Sequence, residues 1–282
     1  MPFFDSDGTR IFYSDVRPDV PAEGMLGVPT VLLHGWLCDS DDWIFQLPSI
    51  EARCRTIAVD LRGHGRSGWR EGMPFSPADA ARDVSRLLAS LGVDQAVVIA
   101  HSAGCEVAVR LELLGPGRVV RSVAVDPAYG LPAEREAGYR VLIDELGRAG
   151  GDERAGRFFA SIDAPATPPA LAAWHARRPL GMDPRMCRTA LEDFVFGVGT
   201  LRLRPGSDAA LRERRAPVLS LHRTPERAAY DLAHSPAPGS RALVYDGCGH
   251  WPHQEQPRRF QRDLEDWLAE PVAPARSAET AR

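Results

Sequence analysis

The chain has 282 residues, of which 44% are apolar and 26% charged, and it carries a formal net charge of -4. That size and apolar content suit one large α/β domain with a sizeable core. The slightly acidic balance offers no electrostatic case for nucleic acid or an anionic membrane, and no run of about 18 apolar residues points to a membrane span. Lysine and asparagine are both absent, so every basic side chain is arginine, the composition of a GC-rich coding sequence. Five cysteines (Cys38, Cys54, Cys105, Cys187, Cys248) are scattered without a CxxC pair, which suggests reduced thiols in a cytoplasm. The start, MPFFDSDGTR, has neither a basic stretch nor an apolar run and does not resemble a signal peptide.

In chain order, Asp7-Gly8 is a turn pair leading into the alternating run Arg10 to Val16, a hairpin signature. Buried strands are expected at Thr30–His34, Thr56–Asp60, Ala96–His101, Val119–Asp126, Val218–His222 and Ala242–Asp246, where Val, Ile and Leu dominate. Helices are expected between them. Ser76 is an N-cap with Pro77 behind it, and Val84, Leu87, Leu88 and Leu91 share one face up to Gly92. A second helix runs from Ala103 to Leu114, and a third from Pro257 to Leu268 buries Phe260, Leu264, Trp267 and Leu268. The stretch between Asp126 and Pro217 has only helical patterns: Ala133–Leu146, Asp152–Ser161, Pro169–Arg177 and Pro184–Phe196.

The expected fold class is α/β, a mostly parallel sheet of about eight strands flanked by helices, with an inserted helical cap. Residues 1–128 and 215–270 form the core, 129–214 the cap, and 271–282, rich in Ala, Pro, Ser and Arg, a disordered tail. Such a cap would lie over the carboxyl edge of the sheet, where open α/β folds bind ligands.

Val97 to Gly104 reads as strand, sharp turn, helix, with Ser102 at the turn. This is the setting of a nucleophile elbow, with Ala100 in place of the first glycine of G-x-S-x-G and Gly104 keeping the second. Read more simply, Ser102 is a helix N-cap. A serine hydroxyl needs a base, and the glycine-rich loop Gly247-Cys248-Gly249-His250 after the last strand supplies His250, with His253 as competitor on the surface or pocket wall. The acid should end a central strand. Asp126, after Val123-Ala124-Val125, is the first candidate, although it could simply cap a helix before Pro127. Glu226, Asp231 and Glu213 flank the next strand, and Glu226 is the alternative acid, although Leu221 to Pro225 lacks the usual aspartate. Backbone N–H groups of Trp36 and Ala103 are candidates for an oxyanion hole, with the Trp36 side chain either walling the pocket or filling the core. Tyr139, Phe158, Phe159, Trp174 and Phe194 in the cap suggest an apolar pocket. There is no HExxH, no GxGxxG after a strand and no P-loop, so neither a metal nor an organic cofactor is implied.

The Ser102 elbow, HGW at 34–36, DLRGHGRS at 60–67 and GCGHWPHQEQP at 247–257 resemble recurring segments of the α/β-hydrolase superfamily. The resemblance implies a Ser-His-acid triad, and it implies that Arg62 and Ser67 pin a turn beneath the site. In Trp36 after the first strand and in the stretch from Arg223-Thr224-Pro225-Glu226 to His250-Trp251-Pro252 the chain is also similar to the cofactor-free ring-cleaving dioxygenases of quinolones, which place their acid at the Asp126 position. Cys38 and Ala103 stand where those enzymes have histidines. The function expected is hydrolysis of a small ester, lactone or related carbonyl compound, an apolar or aromatic small molecule, by a monomer or homodimer with no nucleic-acid or membrane partner. The alternatives are a cofactor-independent 2,4-dioxygenase with His250 as base, and a non-catalytic small-ligand receptor on the same fold.

Overall fold

The computed structural model describes residues 2–18 and 27–270. The expected tail at 271–282 lies outside the described residues. In chain order the strands and helices are β1 (Phe3–Ser6), β2 (Thr9–Val16), β3 (Thr30–Leu33), α1 (Leu47–Glu51), β4 (Thr56–Val59), α2 (Pro77–Ser90), β5 (Ala96–His101), α3 (Ala103–Leu114) and β6 (Val119–Val125). Helices α4 (Glu136–Leu146), α5 (Gly151–Ile162), α6 (Pro169–Arg177), α7 (Pro184–Phe196) and α8 (Gly206–Arg212) follow. The chain then returns to the sheet with β7 (Val218–His222), α9 (Pro225–Ala233), β8 (Arg241–Val244), α10 (Pro252–Glu255) and α11 (Pro257–Leu268).

The eight strands form one sheet in the order β1-β2-β4-β3-β5-β6-β7-β8. Only β1 and β2 enter antiparallel, and every pairing from β4 to β8 is parallel. Alternate side chains of the central strands supply two cores. Val31, Leu33, Val98, Ala100 and Ala124 face α2 and α3. Leu32, Val97, Ile99, Val123 and Val125 face Trp43, Phe260, Leu264 and Trp267 on the other side. This period of two, buried on both faces, is why these strands read as unbroken apolar runs.

The helix signals operate as expected. Ser76 accepts a hydrogen bond from the Asp79 amide at the start of α2, and Gly92 takes a positive φ just past its end. Phe260, Leu264, Trp267 and Leu268 of α11 are all buried, at the i, i+4, i+7 and i+8 positions of one stripe. Burying such side chains stabilises by about 1.5–3 kcal/mol each. Between β6 and β7 the chain forms helices joined by short loops and no strand, with a single isolated bridge, Leu131 to Leu203. Short helices α1, α8, α9 and α10 carry no strong sequence signal and are additions to the sequence expectation. Among the described residues no helix is long and apolar enough to cross a membrane.

The DLRGHGRS segment is pinned where the resemblance implied. Arg62 pairs with the buried Asp83 carboxylate at 2.6 Å and donates to the Pro74 carbonyl. Ser67 Oγ donates to the Asp60 carbonyl and accepts from the Phe12 amide.

One glycine fixes how α3 seats on the sheet. A Cβ at Gly104 would lie 2.5 Å from the His34 carbonyl oxygen and 2.8 Å from that of Leu33. The helix can therefore approach β3 only without a side chain there. Gly104→Ala is expected to cost about 1–3 kcal/mol as overpacking against backbone. Gly138→Ala, in an exposed turn of α4 with nothing within 4 Å of its would-be Cβ, is expected to gain up to about 1 kcal/mol of helix propensity. Urea unfolding of the two variants beside wild type checks both signs.

Candidate active site

Ser102 follows β5 directly and precedes α3, with φ 50° and ψ -119°. A non-glycine residue in that region stores about 1–3 kcal/mol of strain, held here by the Ser102 amide donating to the Val125 carbonyl at 2.9 Å. Asp126 (φ 37°) and Leu37 (φ 54°) are strained in the same sense. All three lie at the carboxyl ends of adjacent parallel strands.

The structure brings Ser102, His250 and Asp126 together. His250 Nδ1 lies 2.5 Å from Asp126 Oδ2, and His250 Nε2 lies 2.8 Å from Ser102 Oγ. The carboxylate can only accept, so Nδ1 carries the proton and the Nε2 lone pair faces the serine hydroxyl. The loop that delivers His250 needs its glycines: Gly247 has a positive φ, and a Cβ at Gly249 would meet the Ala164 amide at 2.7 Å and the Asp163 Cα at 2.9 Å. The His250 amide donates to the Ile162 carbonyl and its carbonyl accepts from His101 Nε2, so its backbone is held on both sides.

Burial alone would raise the Asp126 carboxyl. The hydrogen bond from His250, its charge and the guanidinium of Arg223 outweigh burial and hold the group below the ordinary carboxylate range. Arg223, just past the end of β7, sets its Nε 2.7 Å from Asp126 Oδ2. Glu226 plays no part in this geometry: it is exposed in the first turn of α9, where Thr224 caps the helix. The position after β7 that could have supplied an acid supplies a cation instead.

Trp36 and Ala103 both line or adjoin the same cleft. Neither backbone N–H donates to another backbone group among the described residues. The Trp36 ring lines the cavity and also packs edge-on to Phe158 and Phe159, while its Nε1 donates to the Cys187 carbonyl. The cavity of about 620 Å³ opens over Ser102, His250 and Asp126, within the usual size of small-ligand sites. Of the aromatic residues expected in the pocket, Tyr139, Phe158 and Phe159 line it. Phe194 is buried core, and Trp174 stacks on His175 away from the cavity. Leu131, Leu142, Ile162, Leu191 and five arginines also line it, and no sequence pattern marked them.

His253, expected on the surface or pocket wall, is fully buried instead, packed against Trp43, His101 and Phe260. His101 and His253 are both held far below the ordinary histidine range by burial and by neighbouring imidazoles, so both stay neutral. Among the described residues, Cys38, Asp42 and His101 bring ligand atoms within 4.8 Å of one another. Arg178 already neutralises Asp42, and burial pushes the Cys38 thiol up to about 11. That trio is therefore a neutral polar layer behind His250, poorly suited to a cation. All five cysteines are free and buried.

Behind Asp126, a second buried carboxylate braces the ends of β6 and β7. Asp231 accepts from Tyr129 Oη at 2.8 Å and from Ser235 Oγ at 3.1 Å, and lies 3.1 Å from His222 Nε2.

The alpha/beta hydrolase family model matches residues 30–262, and the chain belongs to that family. A stretch of 157 residues is 39% identical to a non-heme haloperoxidase of Rhodococcus erythropolis, covering 51% of this chain and 54% of that protein. A stretch of 179 residues is 38% identical to a non-heme chloroperoxidase of Streptomyces lividans, covering 58% of each. The chain thus spans about half the length of these curated relatives. Among solved structures, an esterase from a Rhodococcus species superposes with a TM-score of 0.73 at 27% identity, covering 96% of this chain and 98% of that one.

Burial raises the Asp231 carboxyl, but His222, Arg214 and Tyr129 more than reverse this, to about 2. A folded value below the unfolded one stabilises above the unfolded pKa and loses that stability as pH falls through the folded one. Asp231 should therefore contribute about 2 kcal/mol above pH ~4, lost as the pH falls to ~2. Asp231→Asn is expected to lose that increment at neutral pH and to flatten the acid limb between those values, read by denaturant unfolding across a pH series.

Proposed function

We propose that the protein is a serine hydrolase acting on a small ester, lactone or related carbonyl compound. The observation that carries this reading is the continuous relay from Asp126 through His250 to Ser102, 2.5 and 2.8 Å long, at the floor of a largely apolar cavity. Ser102 Oγ attacks the substrate carbonyl as His250 Nε2 takes its proton. Asp126 keeps the imidazole in the reactive tautomer and stabilises the imidazolium that forms. The oxyanion is received by the N–H groups of Trp36 and Ala103, the latter at the start of α3 where the helix dipole is positive. His250 then returns its proton to the leaving alcohol, and water repeats the sequence on the acyl-enzyme.

The helical insertion at 129–214 acts as a cap. It contributes Leu131, Tyr139, Leu142, Phe158, Phe159 and Ile162 to the cavity, and so sets substrate shape while the sheet sets the chemistry. A second reading, a cofactor-free dioxygenase acting on a 3-hydroxy-4-quinolone with His250 as base, shares the relay. It differs in what the serine does, since a base acting directly on a substrate hydroxyl leaves Ser102 dispensable.

Ser102→Ala is expected to reduce turnover of simple aryl esters by several powers of ten and to abolish labelling by a fluorophosphonate. Asp126→Asn should cost on the order of 10³–10⁴ in turnover, and Glu226→Gln should stay near wild type. Oxygen-dependent cleavage of a quinolone that survives Ser102→Ala would transfer the chemistry to the oxygenase. Tight ligand binding with no turnover and no labelling would make the protein a receptor.

A further inference from the structure

We infer that Arg223 is an anion anchor, so that the preferred substrate is an ester or lactone bearing a carboxylate. The inference rests on the hydrolase reading for its chemistry, but the anchor itself is a binding site that can be measured without turnover.

Five arginines line the cavity: Arg135, Arg154, Arg202, Arg223 and Arg227. Three are committed to the protein. Arg154 pairs with Glu145. Arg202 is buried, 2.7 Å from Glu106 and donating to the Tyr139 hydroxyl. Arg227 spends its guanidinium on the carbonyls of Pro127, Tyr129 and Gly130. Arg135 is exposed on the rim. Arg223 differs from all of these. Its Nε is ion-paired with Asp126 at 2.7 Å without hydrogen-bond geometry, its side chain is 38% exposed, and none of its guanidinium nitrogens makes a hydrogen bond among the described residues.

The pairing with Asp126 aims this fork. The ion pair holds the Nε side of the planar guanidinium at the carboxylate, and the edge formed by the two Nη groups keeps the donors that match a carboxylate bidentately. Much of the remaining wall is Trp36, Leu142, Phe158, Phe159, Ile162 and Trp251 and offers those donors no protein acceptor, so a ligand that displaces solvent from the cavity must itself supply one. Asp126 cannot satisfy the whole group either, since the same Oδ2 already accepts from His250. An anionic substituent on the substrate would complete the set. Imidazole and carboxylate separate Arg223 from Ser102, so the anchored group and the scissile carbonyl belong at opposite ends of a small molecule whose apolar middle lies against the aromatic wall.

The test compares 4-nitrophenyl hydrogen glutarate with 4-nitrophenyl pentanoate, two esters of similar length that differ in a terminal carboxylate. Wild type is expected to favour the anionic ester in kcat/KM. Arg223→Gln also disturbs Asp126, so the readout is the ratio between the two esters and not either rate. Losing a hydrogen bond to a charged group should lower that ratio about 30-fold, mainly through KM, and Arg223→Lys should restore part of it. Equal loss on both esters, or a wild-type preference for the neutral one, overturns the anchor while leaving the hydrolase intact.

In parallel, monomethyl glutarate is titrated into Ser102→Ala with and without Arg223→Gln, following the fluorescence of Trp36 and Trp251 in the cavity wall. Binding that depends on Arg223, together with a wild type that neither cleaves the esters nor takes the fluorophosphonate, would retain the anchor and overturn the hydrolase reading. No saturable binding to the Arg223 protein overturns the anchor directly.

Discussion

Three loops that are far apart in the chain meet on one carboxylate. Asp126 ends β6, Arg223 follows β7 and His250 follows β8, and both partners converge on Asp126 Oδ2. Burying an ion is costly unless it is paired and hydrogen-bonded, and Asp126 is 7% exposed. The two contacts meet that requirement, and in doing so they fix where two loops must lie. Removing either partner would leave a buried charge under-satisfied, which is why the positions of His250 and Arg223 are coupled through a residue that contacts both.

The strain around this carboxylate follows from the same demand. Ser102 and Asp126 have positive φ, and each donates its amide to the strand beyond its own, Ser102 to Val125 and Asp126 to Leu221. The ladder of the parallel sheet is thus continued one residue past each strand end, and its hydrogen bonds offset what the backbone angles cost. Glycines appear where two backbones must touch, at Gly104 against β3 and at Gly249 against Asp163–Ala164. A rigid floor results, on which side chains can be held without relying on loop flexibility.

Much of that floor was legible in the sequence because its causes are local. A buried strand followed by His101-Ser102-Ala103-Gly104 and an apolar helix has few other solutions, and glycines flanking a histidine after the last strand announce a tight return. Asp126 was legible as a strand-ending acid, and Glu226 competed with it although Thr224-Pro225, the same cap-and-proline signal as Ser76-Pro77, starts a helix there and turns Glu226 to solvent. His253 was misjudged for a related reason. Four residues on from Gly249, its ring is carried by the short helix α10 under Trp43, and nothing local distinguishes that burial from exposure. Arg223 was legible only within a segment of family resemblance, with no role of its own, because its meaning depends on β6 and β7 being neighbours, a fact of sheet order that composition does not carry. The cavity wall was the least legible part, since Leu142, Ile162 and Leu191 look like any helix core.

How the insertion is fastened explains why floor and wall can differ in what they reveal. Arg202, after α7, reaches the buried Glu106 of α3, one turn beyond the Ser102 elbow. On the opposite side His175 of α6 sits 2.8 Å from Asp163 and 2.9 Å from Gln254, stacks on Trp251 at 3.8 Å, and Gln254 continues to Asp42. Arg178 closes that side by pairing with Asp39 and Asp42 in the loop after β3. These fastenings are polar and directional, so they set the insertion's register on the sheet, whereas the cavity between them is lined by apolar contacts that any side chain of suitable volume could make. Substitutions in the apolar wall can therefore change which molecules fit without moving Ser102, His250 or Asp126, whereas Arg223, which lines the same cavity and touches Asp126, ties one part of the wall to the relay itself.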